Sequence, residues 1–184
     1  MKKNILMRKL KLHELNRLTV DEFKESEKNK IIVVLDNVRS LNNIGSIFRT
    51  SDALAIEAVY LCGISATPPN NDIHKTALGA EDSVHWKYFE QTTDAITELR
   101  QQGYEIYSIE QTENSTSLLD FIADTTKKYV FIFGNEVKGV EQEAINLSDG
   151  VIEIPQFGTK HSFNVSVTAG IVLWEVAKNL IKKR

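Results

Sequence analysis

The sequence predicts an α/β protein with a mostly parallel sheet and helices on both faces. Short apolar runs alternate with helical patterns along most of the chain, giving roughly six strands and five to seven helices. The runs at 129–133 and 151–154 are short, apolar and bounded by turn residues, as fully buried parallel strands are. Each is followed by a polar, glycine-containing loop, at 134–136 and 155–164. Ligands of open α/β sheets bind beyond the carboxyl ends of the strands, so these two loops predict the site.

The other elements follow from the same alternation of periods. In chain order, the predicted strands lie at 31–35, 57–61, 84–89, 104–109, 129–133 and 151–154. The predicted helices lie after residue 136 and at 44–55, 73–80, 93–102, 117–122 and 166–181. Asn42 or Asn43 is the expected N-cap of the helix at 44–55, because asparagine caps helices well.

Residues 1–29 are predicted to form a basic N-terminal extension of one or two amphipathic helices, followed by a single domain at 30–184. Leu6, Leu10 and Leu18 recur at near-helical spacing, with charged residues between them. A hydrophobic content of 42% is enough to build one core. The extension could pack on the domain or contact a nucleic acid, and its composition leaves both open.

Charge is unevenly distributed along the chain. A net charge of −3 argues against nucleic-acid binding over the whole surface. Residues 1–17 nevertheless contain many Lys and Arg against Glu14 as the single acid, and the chain closes with Lys182, Lys183 and Arg184. Local contacts with phosphates and a merely solvated helix face and tail explain this bias equally well.

Cysteine usage and hydropathy predict a cytoplasmic protein. The single Cys62 cannot form an internal disulfide, and it follows an apolar run, as a buried cysteine does. The sequence has neither a signal-peptide pattern nor 18 consecutive apolar residues, so no membrane association is expected. No metal is expected either, because ligand spacing is absent among His13, His74, His85 and His161. The loop after 133 also lacks the pattern of a P-loop or of a dinucleotide-binding turn.

Three motifs occur in order along the chain. They are N-x-G-x-x-x-R at 43–49, F-G-x-E-x-x-G at 133–139 and I-P-x-x-G-x-x-x-S-x-N-V-S at 154–166. In these residues the chain resembles the SpoU/TrmH branch of the SPOUT superfamily, which comprises 2′-O-ribose RNA methyltransferases. The resemblance extends over residues 31–178 with correct spacing, and is far more specific than any one motif.

The resemblance implies a fold and an assembly that periodicity alone does not predict. In the superfamily the C-terminal segment threads through a preceding loop to make a trefoil knot, which here involves the loops at 133–139 and 154–164. The knotted loops of the family bind S-adenosylmethionine. Family members pair through the knot and the last helix, so a homodimer is expected. That helix has more apolar surface than one buried stripe needs, through Val165, Val167, Ile171, Val172, Trp174 and Val176.

The resemblance also implies the roles of individual residues. The expected catalytic residues are Arg49, Asn43, Glu136, Ser162 and Asn164, and the expected cofactor-binding residues are Gly134, Ile154 and Phe163. An arginine rarely loses its proton, so phosphate binding and electrostatic stabilisation are the favoured roles of Arg49. Gln156 stands where many family members have Met and Phe163 where most have Leu, which affects the shape of the pocket rather than the chemistry.

The predicted function is S-adenosylmethionine-dependent 2′-O-ribose methylation of RNA, and a tRNA guanosine is the first expectation. The compact domain, with terminal extensions and no separate N-terminal RNA-binding domain, resembles the tRNA members of the family more than the alternative, the enzymes that act on 23S rRNA. A non-catalytic RNA-binding module on the same fold is a second alternative. The complete set of motif residues argues against it, because a module without chemistry would be free to lose one of them.

Overall fold

The computed structural model describes residues 7–180. Within this part of the chain, seven strands form one sheet in the order β3-β2-β1-β6-β4-β7-β5, and every neighbouring pair is parallel. The strands are β1 Asn29–Asp36, β2 Ile56–Cys62, β3 His85–Phe89, β4 Glu105–Ile109, β5 Thr116–Ser117, β6 Tyr129–Phe133 and β7 Gly150–Glu153. All their carboxyl ends therefore meet at one edge of the sheet, as the sequence predicts.

Helices cover both faces of the sheet. They are α1 Val20–Glu25, α2 Leu41–Ala53, α3 Asn71–Ala77, α4 Ala80–Ser83, α5 Thr92–Gln101, α6 Gln142–Leu147 and α7 Val165–Leu180. Alternate residues of the inner strand β1 divide between two cores. Val33 packs in the main core, which includes α2, α3 and α7, and Val34 in the core that includes α5 and α6. The predicted architecture, a mostly parallel sheet with helices on both faces, is confirmed.

Two predictions about the second half of the sheet are wrong. Residues 117–122 are not a helix: Thr116 and Ser117 form the edge strand β5, and the chain then continues as turns. The run at 151–154 is not fully buried, because only Ile152 is buried in it. The exposure of β7 follows from strand order, since β7 lies next to the edge of the sheet and only the two-residue β5 covers it there.

Helix α2 begins earlier than the sequence suggests. It starts at Leu41, and its N-cap is Ser40, whose hydroxyl accepts a hydrogen bond from the backbone N–H of Asn43 at 3.3 Å. The predicted caps, Asn42 and Asn43, therefore lie inside the first turn. The Asn43 side chain is consequently available for contacts elsewhere.

The described part of the N-terminal extension, residues 7–29, contains little helix and is partly built into the domain. A single 3₁₀ turn at Leu12–Glu14 precedes the short helix α1, which a capping box between Thr19 and Glu22 begins. Phe23 of α1 is buried in the main core. Leu6 and the four C-terminal residues 181–184 lie outside the described part of the chain.

Helix α7 returns from the edge strands to pack against α2 on one face of the sheet. This packing brings the C-terminal third motif next to the first motif. The trefoil knot itself stays a prediction. None of the helices in residues 7–180 combines the length and hydropathy needed to cross a membrane.

Candidate active site

A cleft of about 550 Å³ opens at the carboxyl ends of β4, β6 and β7. Strand β4 lies between β6 and β7, so the two loops predicted to form the site face each other across the end of β4. We call this the strand-end cleft. Six of the eight predicted site residues line it, namely Gly134, Glu136, Ile154, Ser162, Phe163 and Asn164.

The loop after β6 is a tight turn that depends on two glycines. The backbones of Asn135 and Gly139 exchange hydrogen bonds of 2.9 Å in both directions. A Cβ at Gly134 would lie 2.1 Å from backbone atoms of Gly139 and Val140, and Gly139 itself has a φ of +72°. Side chains are excluded at 134 by space and disfavoured at 139 by conformation. The glycines of the second motif thus shape the loop that presents Glu136.

Glu136 accepts three hydrogen bonds from Asn43 of the first motif and from the residues just before α2. The donors are the backbone N–H groups of Arg39 and Ser40, at 3.0 and 2.9 Å, and the Asn43 side-chain amide, at 3.0 Å. Partial burial alone would raise the pKa of Glu136, but these donors outweigh burial and the net effect lowers it. Glu136 is therefore an ionised anchor between the second motif and the N-terminal end of α2.

Asn43 joins the three motifs. Its amide nitrogen donates to Glu136, and its amide oxygen accepts a 3.0 Å hydrogen bond from the side-chain nitrogen of Asn164. The Asn164 oxygen in turn accepts from the backbone N–H groups of Ser166 and Val167, at 2.9 and 3.3 Å, and so caps α7. Residues that are far apart in sequence thus form one continuous network, which we call the Glu136–Asn43–Asn164 network.

Arg49 is not part of the strand-end cleft. It lies further along α2, is exposed, and has no hydrogen bond or ion pair with any other described residue. It lines a separate groove of about 610 Å³ between α2, α3 and α7, together with Lys75, Thr76 and Trp174. We call this the Arg49 groove. Within one chain, Arg49 therefore does not line the cleft that six of the other seven predicted site residues line.

The remaining predicted residues line the walls of the strand-end cleft. Ile154 is half-buried against the main core, and the Phe163 side chain is 42% exposed beside the cleft. Ser162 is exposed there, and its hydroxyl has no hydrogen-bond partner among residues 7–180. The cleft thus has apolar surface beside free polar groups, which suits a ligand that has both characters.

Sequence reasoning missed several residues at the cleft. Glu110 and Gln111 follow β4 and line it, and the Gln111 side-chain amide donates a 2.9 Å hydrogen bond to the backbone oxygen of His161. Asn135 also matters, because its side chain donates to the backbone oxygen of Asn37 at 2.8 Å and so joins the loops after β6 and β1. One signal was available, since two polar residues, Glu110 and Gln111, directly follow the predicted strand at 104–109.

The parallel sheet, the strand-end cleft and the network between the motifs are together the features of an α/β methyltransferase. A model of the SpoU rRNA Methylase family matches residues 30–174. The chain belongs to this family and thus to the SpoU/TrmH branch of the SPOUT superfamily.

Similar proteins span most of the chain. A tRNA (guanosine(18)-2′-O)-methyltransferase from Thermus thermophilus is 28% identical over 169 residues, covering 92% of this chain and 85% of that protein. The enzyme of the same name from Aquifex aeolicus is 30% identical over 165 residues, covering 88% and 75%. The crystal structure of an AdoMet-bound rRNA methyltransferase from Sinorhizobium meliloti superposes with a TM-score of 0.78 at 25% identity, covering 87% of this chain. This chain spans only 61% of that solved chain.

The cleft fits S-adenosylmethionine, the cofactor of the family. Its walls pair apolar side chains such as Ile154 and Phe163 with the carboxylates of Glu110 and Glu153. Such a lining matches a ligand that combines a flat adenine with hydroxyl groups and two cationic centres. Within residues 7–180, no three side chains of His, Cys, Asp or Glu lie close enough together to hold a metal ion.

Proposed function

We propose that this protein transfers a methyl group from S-adenosylmethionine to a ribose 2′-hydroxyl of RNA, with a tRNA guanosine as the first candidate. One observation carries the proposal: the Glu136–Asn43–Asn164 network joins the three motifs at the edge of the cleft. The Thermus and Aquifex relatives, named as tRNA guanosine methyltransferases, support tRNA. A relative from Neisseria meningitidis, named as a 23S rRNA (guanosine-2′-O-)-methyltransferase and 28% identical over 153 residues, keeps 23S rRNA as the alternative.

Positioning supplies much of the proposed acceleration. The cofactor supplies an activated methyl group, and the chain has to hold it in line with the acceptor oxygen. Orientation of two reactants is worth roughly 7–11 kcal/mol of the barrier. The network orders the loop that carries Ser162 and Asn164 relative to α2, so that a ribose at the cleft mouth would meet fixed side chains. The Ser162 hydroxyl, which has no partner among the described residues, is available to the acceptor ribose.

Arg49 is the proposed contact with the RNA backbone. Its guanidinium is exposed and unpaired among residues 7–180, and Lys75 and Trp174 line the same groove. A guanidinium binds phosphate bidentately and stabilises negative charge that develops nearby. We therefore assign Arg49 to the phosphate next to the target ribose and to electrostatic stabilisation of the reacting oxygen.

A homodimer is part of the proposal. On α7, Val167 is 50% exposed and Trp174 is 58% exposed, so this helix presents apolar surface after its inner face has packed on α2. Exposed apolar surface of this kind is typical of protein interfaces. Since Arg49 lies outside the strand-end cleft of its own chain, pairing through α7 also offers a way to complete each site with a second copy.

The proposal extends to the N-terminal region and the compartment. We assign residues 1–29 to an RNA-contacting extension and 30–184 to the catalytic domain. Arg8, Lys9 and Lys11 are exposed cations, although Arg8 is paired with Glu14 at 2.7 Å. The free, buried Cys62 and an RNA substrate both fit the cytoplasm.

Transfer of labelled methyl to tRNA and to 23S rRNA transcripts, followed by nuclease mapping, tests the proposed function. The expected product is a 2′-O-methylated guanosine in tRNA. Methylation of 23S rRNA alone would favour the alternative substrate, and methylation of a base would contradict the proposal. Cofactor binding without transfer to total RNA from a strain that lacks the gene would support the non-catalytic module.

A further inference from the structure

Glu110 is a carboxylate at the floor of the strand-end cleft that none of the three motifs includes. It directly follows β4, and its backbone N–H donates a 3.1 Å hydrogen bond to Ile152 of β7. Since β4 lies between β6 and β7, the side chain emerges between the two loops that form the cleft walls. Its position is therefore set by the sheet rather than by a mobile loop.

Two backbone contacts orient this carboxylate. One oxygen accepts from the N–H of Gln111 at 2.8 Å, and the other accepts from the N–H of Val140 at 3.1 Å. A Cβ at Gly139 would lie 2.1 Å from the Glu110 carboxylate, so only glycine leaves room for it there. Gln111 also ties the facing loop to the same strand end through its contact with His161. The carboxylate is thus held in place before any ligand binds.

The Glu110 carboxylate can accept further hydrogen bonds, whereas most acceptor sites of the Glu136 carboxylate are already occupied. A carboxylate offers about four lone-pair sites, and the two backbone donors occupy one site on each Glu110 oxygen. Glu136 already has three donors. Glu110 forms no ion pair with any residue in 7–180, and it lines the cleft. One free acceptor site on each oxygen matches two neighbouring hydroxyl donors.

We propose that Glu110 binds the vicinal 2′- and 3′-hydroxyls of the cofactor ribose and so fixes the adenosyl group at the end of β4. This inference rests on the proposed function, in that the cleft is taken to hold S-adenosylmethionine. The chemistry is that of other α/β folds, in which an acidic side chain accepts the ribose hydroxyls of a nucleotide. Glu110 is then a binding residue for the cofactor, whereas Glu136 is an anchor of the network.

A double-mutant cycle between protein and ligand tests the assignment. Calorimetry would measure S-adenosylhomocysteine and its 2′-deoxy and 3′-deoxy analogues on the wild-type protein and on Glu110→Gln. Hydrogen bonds to charged groups are strong enough that each deletion should weaken binding to the wild type by roughly 10-fold or more. In Glu110→Gln the parent ligand should lose a similar factor, because the charge and one acceptor oxygen are removed. The penalty for removing a hydroxyl should then fall, most of all for the hydroxyl that faces the new amide nitrogen.

The control is Glu153→Gln, which alters another carboxylate that lines the same cleft. It should keep the full penalties for both deoxy ligands. If Glu110 only braced the loop, Glu110→Gln would weaken all three ligands equally and leave the penalties unchanged, which would overturn the proposal. Equal wild-type affinity for all three ligands would overturn it as well, even if the variant did not fold.

Two further arms separate neighbouring explanations. 5′-Methylthioadenosine lacks the amino-acid end of the cofactor. If Glu110→Gln did not weaken this ligand, Glu110 would bind the ammonium group instead and the ribose assignment would fail. If Glu110→Gln reduced the penalties for the deoxy ligands but the wild-type protein transferred no methyl group to RNA, the proposed function would be contradicted and the role of Glu110 in ribose binding would stand. If the wild-type protein transferred methyl to RNA but Glu110→Gln left the penalties for the deoxy ligands unchanged, only the inference about Glu110 would be contradicted.

Discussion

Asn43 is a motif residue whose side chain holds a structural network together at the proposed active site. An asparagine side chain is both donor and acceptor, and here Asn43 donates to Glu136 and accepts from Asn164. Aspartate would lose the donor and place a second negative charge against Glu136. The sequence suggested a helix cap at this position, because asparagine is a good cap. Ser40 takes that role three residues earlier and leaves Asn43 free for the long-range contacts.

Arg49→Ala is expected to abolish methyl transfer while leaving the fold and the affinity for S-adenosylmethionine nearly unchanged. The two functions should separate, since Arg49 does not line the strand-end cleft. Loss of one preorganised charge-stabilising donor costs about 10²–10³ in rate, and more if the ribose is also misaligned. Arg49→Lys should restore little, because lysine lacks the planar fork. Single-turnover transfer and calorimetry measure the two effects.

The control for Arg49 is Arg100→Ala, on α5 across the sheet, which should transfer methyl normally. Wild-type rates in Arg49→Ala would remove the arginine from the mechanism. Lost cofactor binding in a folded Arg49→Ala protein would mean that the residue belongs to the cofactor site.

Glu136→Gln is expected to lower the melting temperature at neutral pH and to lose part of the acid sensitivity of the protein. Because hydrogen bonds lower the pKa of Glu136 in the folded state, its contribution is present above the ordinary carboxyl pKa of about 4.3. It is lost as pH falls through the lowered folded pKa. The gap in melting temperature between wild type and variant should therefore narrow below about pH 4.3. The control is Glu143→Gln, on α6. A difference in melting temperature that stays constant with pH, or the same pH dependence in Glu143→Gln, would contradict this explanation.

At the scale of elements, Gly45→Ala is expected to destabilise the protein by about 1–3 kcal/mol, as overpacking does. A Cβ at Gly45 would lie 2.2 Å from both the Ile73 backbone oxygen and the Thr76 hydroxyl, so α3 would have to move away from α2. Gly170→Ala is the matched control, because nothing lies within 4 Å of its Cβ position in α7. It should stabilise by about 0.5–1 kcal/mol. Denaturant unfolding that showed the same change for both variants would refute the close contact.

The basic extension should be divided at residue 18 when its role is tested. Removal of residues 1–28 would delete the buried Phe23 and disturb the core. Removal of residues 1–18 keeps the helix start at Thr19, and should weaken RNA binding more than cofactor binding. The salt slope, which is the steepness with which the logarithm of RNA affinity falls with the logarithm of salt concentration, should decrease by about 0.7–0.9 for each lost phosphate contact. If RNA affinity and salt slope did not change, residues 1–18 would only pack on the domain and would not contact RNA.

Local pattern predicted most strands and helices, but it could not predict what depends on strand order. The run at 151–154 has the composition of a buried strand, and only its place beside the short β5 explains its exposure. Glu110 was missed for the same reason, because nothing near it in sequence indicates that β4 lies between β6 and β7. The motif residues that line the cleft were predicted from the resemblance to the family, because composition and periodicity do not single them out. The sequence could not predict that Arg49 lies outside the cleft, because this depends on how α2 packs in the folded chain.

For the whole molecule, a homodimer at micromolar concentration is expected, and Trp174→Glu should convert it to a monomer. The charge would be buried in an apolar contact if α7 forms the interface. Leu119→Glu is the control, since Leu119 is 81% exposed in the segment that follows the edge strand β5, and this variant should stay dimeric. Light scattering after gel filtration measures both. A monomeric wild type would contradict the prediction, and a dimeric Trp174→Glu would place the interface elsewhere.

The order of strands also bears on how the chain is made. Residues 29–89 contain the three neighbouring parallel strands β1, β2 and β3, which can associate early during synthesis. Strand β6 pairs with the other side of β1, but it begins only at Tyr129, long after β1 ends at Asp36. Until residue 133 has left the ribosome, β1 presents an open apolar edge of the kind that promotes aggregation. Such long-range parallel pairing also slows folding. We therefore expect the nascent chain to expose this edge of β1 until β6 has been synthesised and pairs with it.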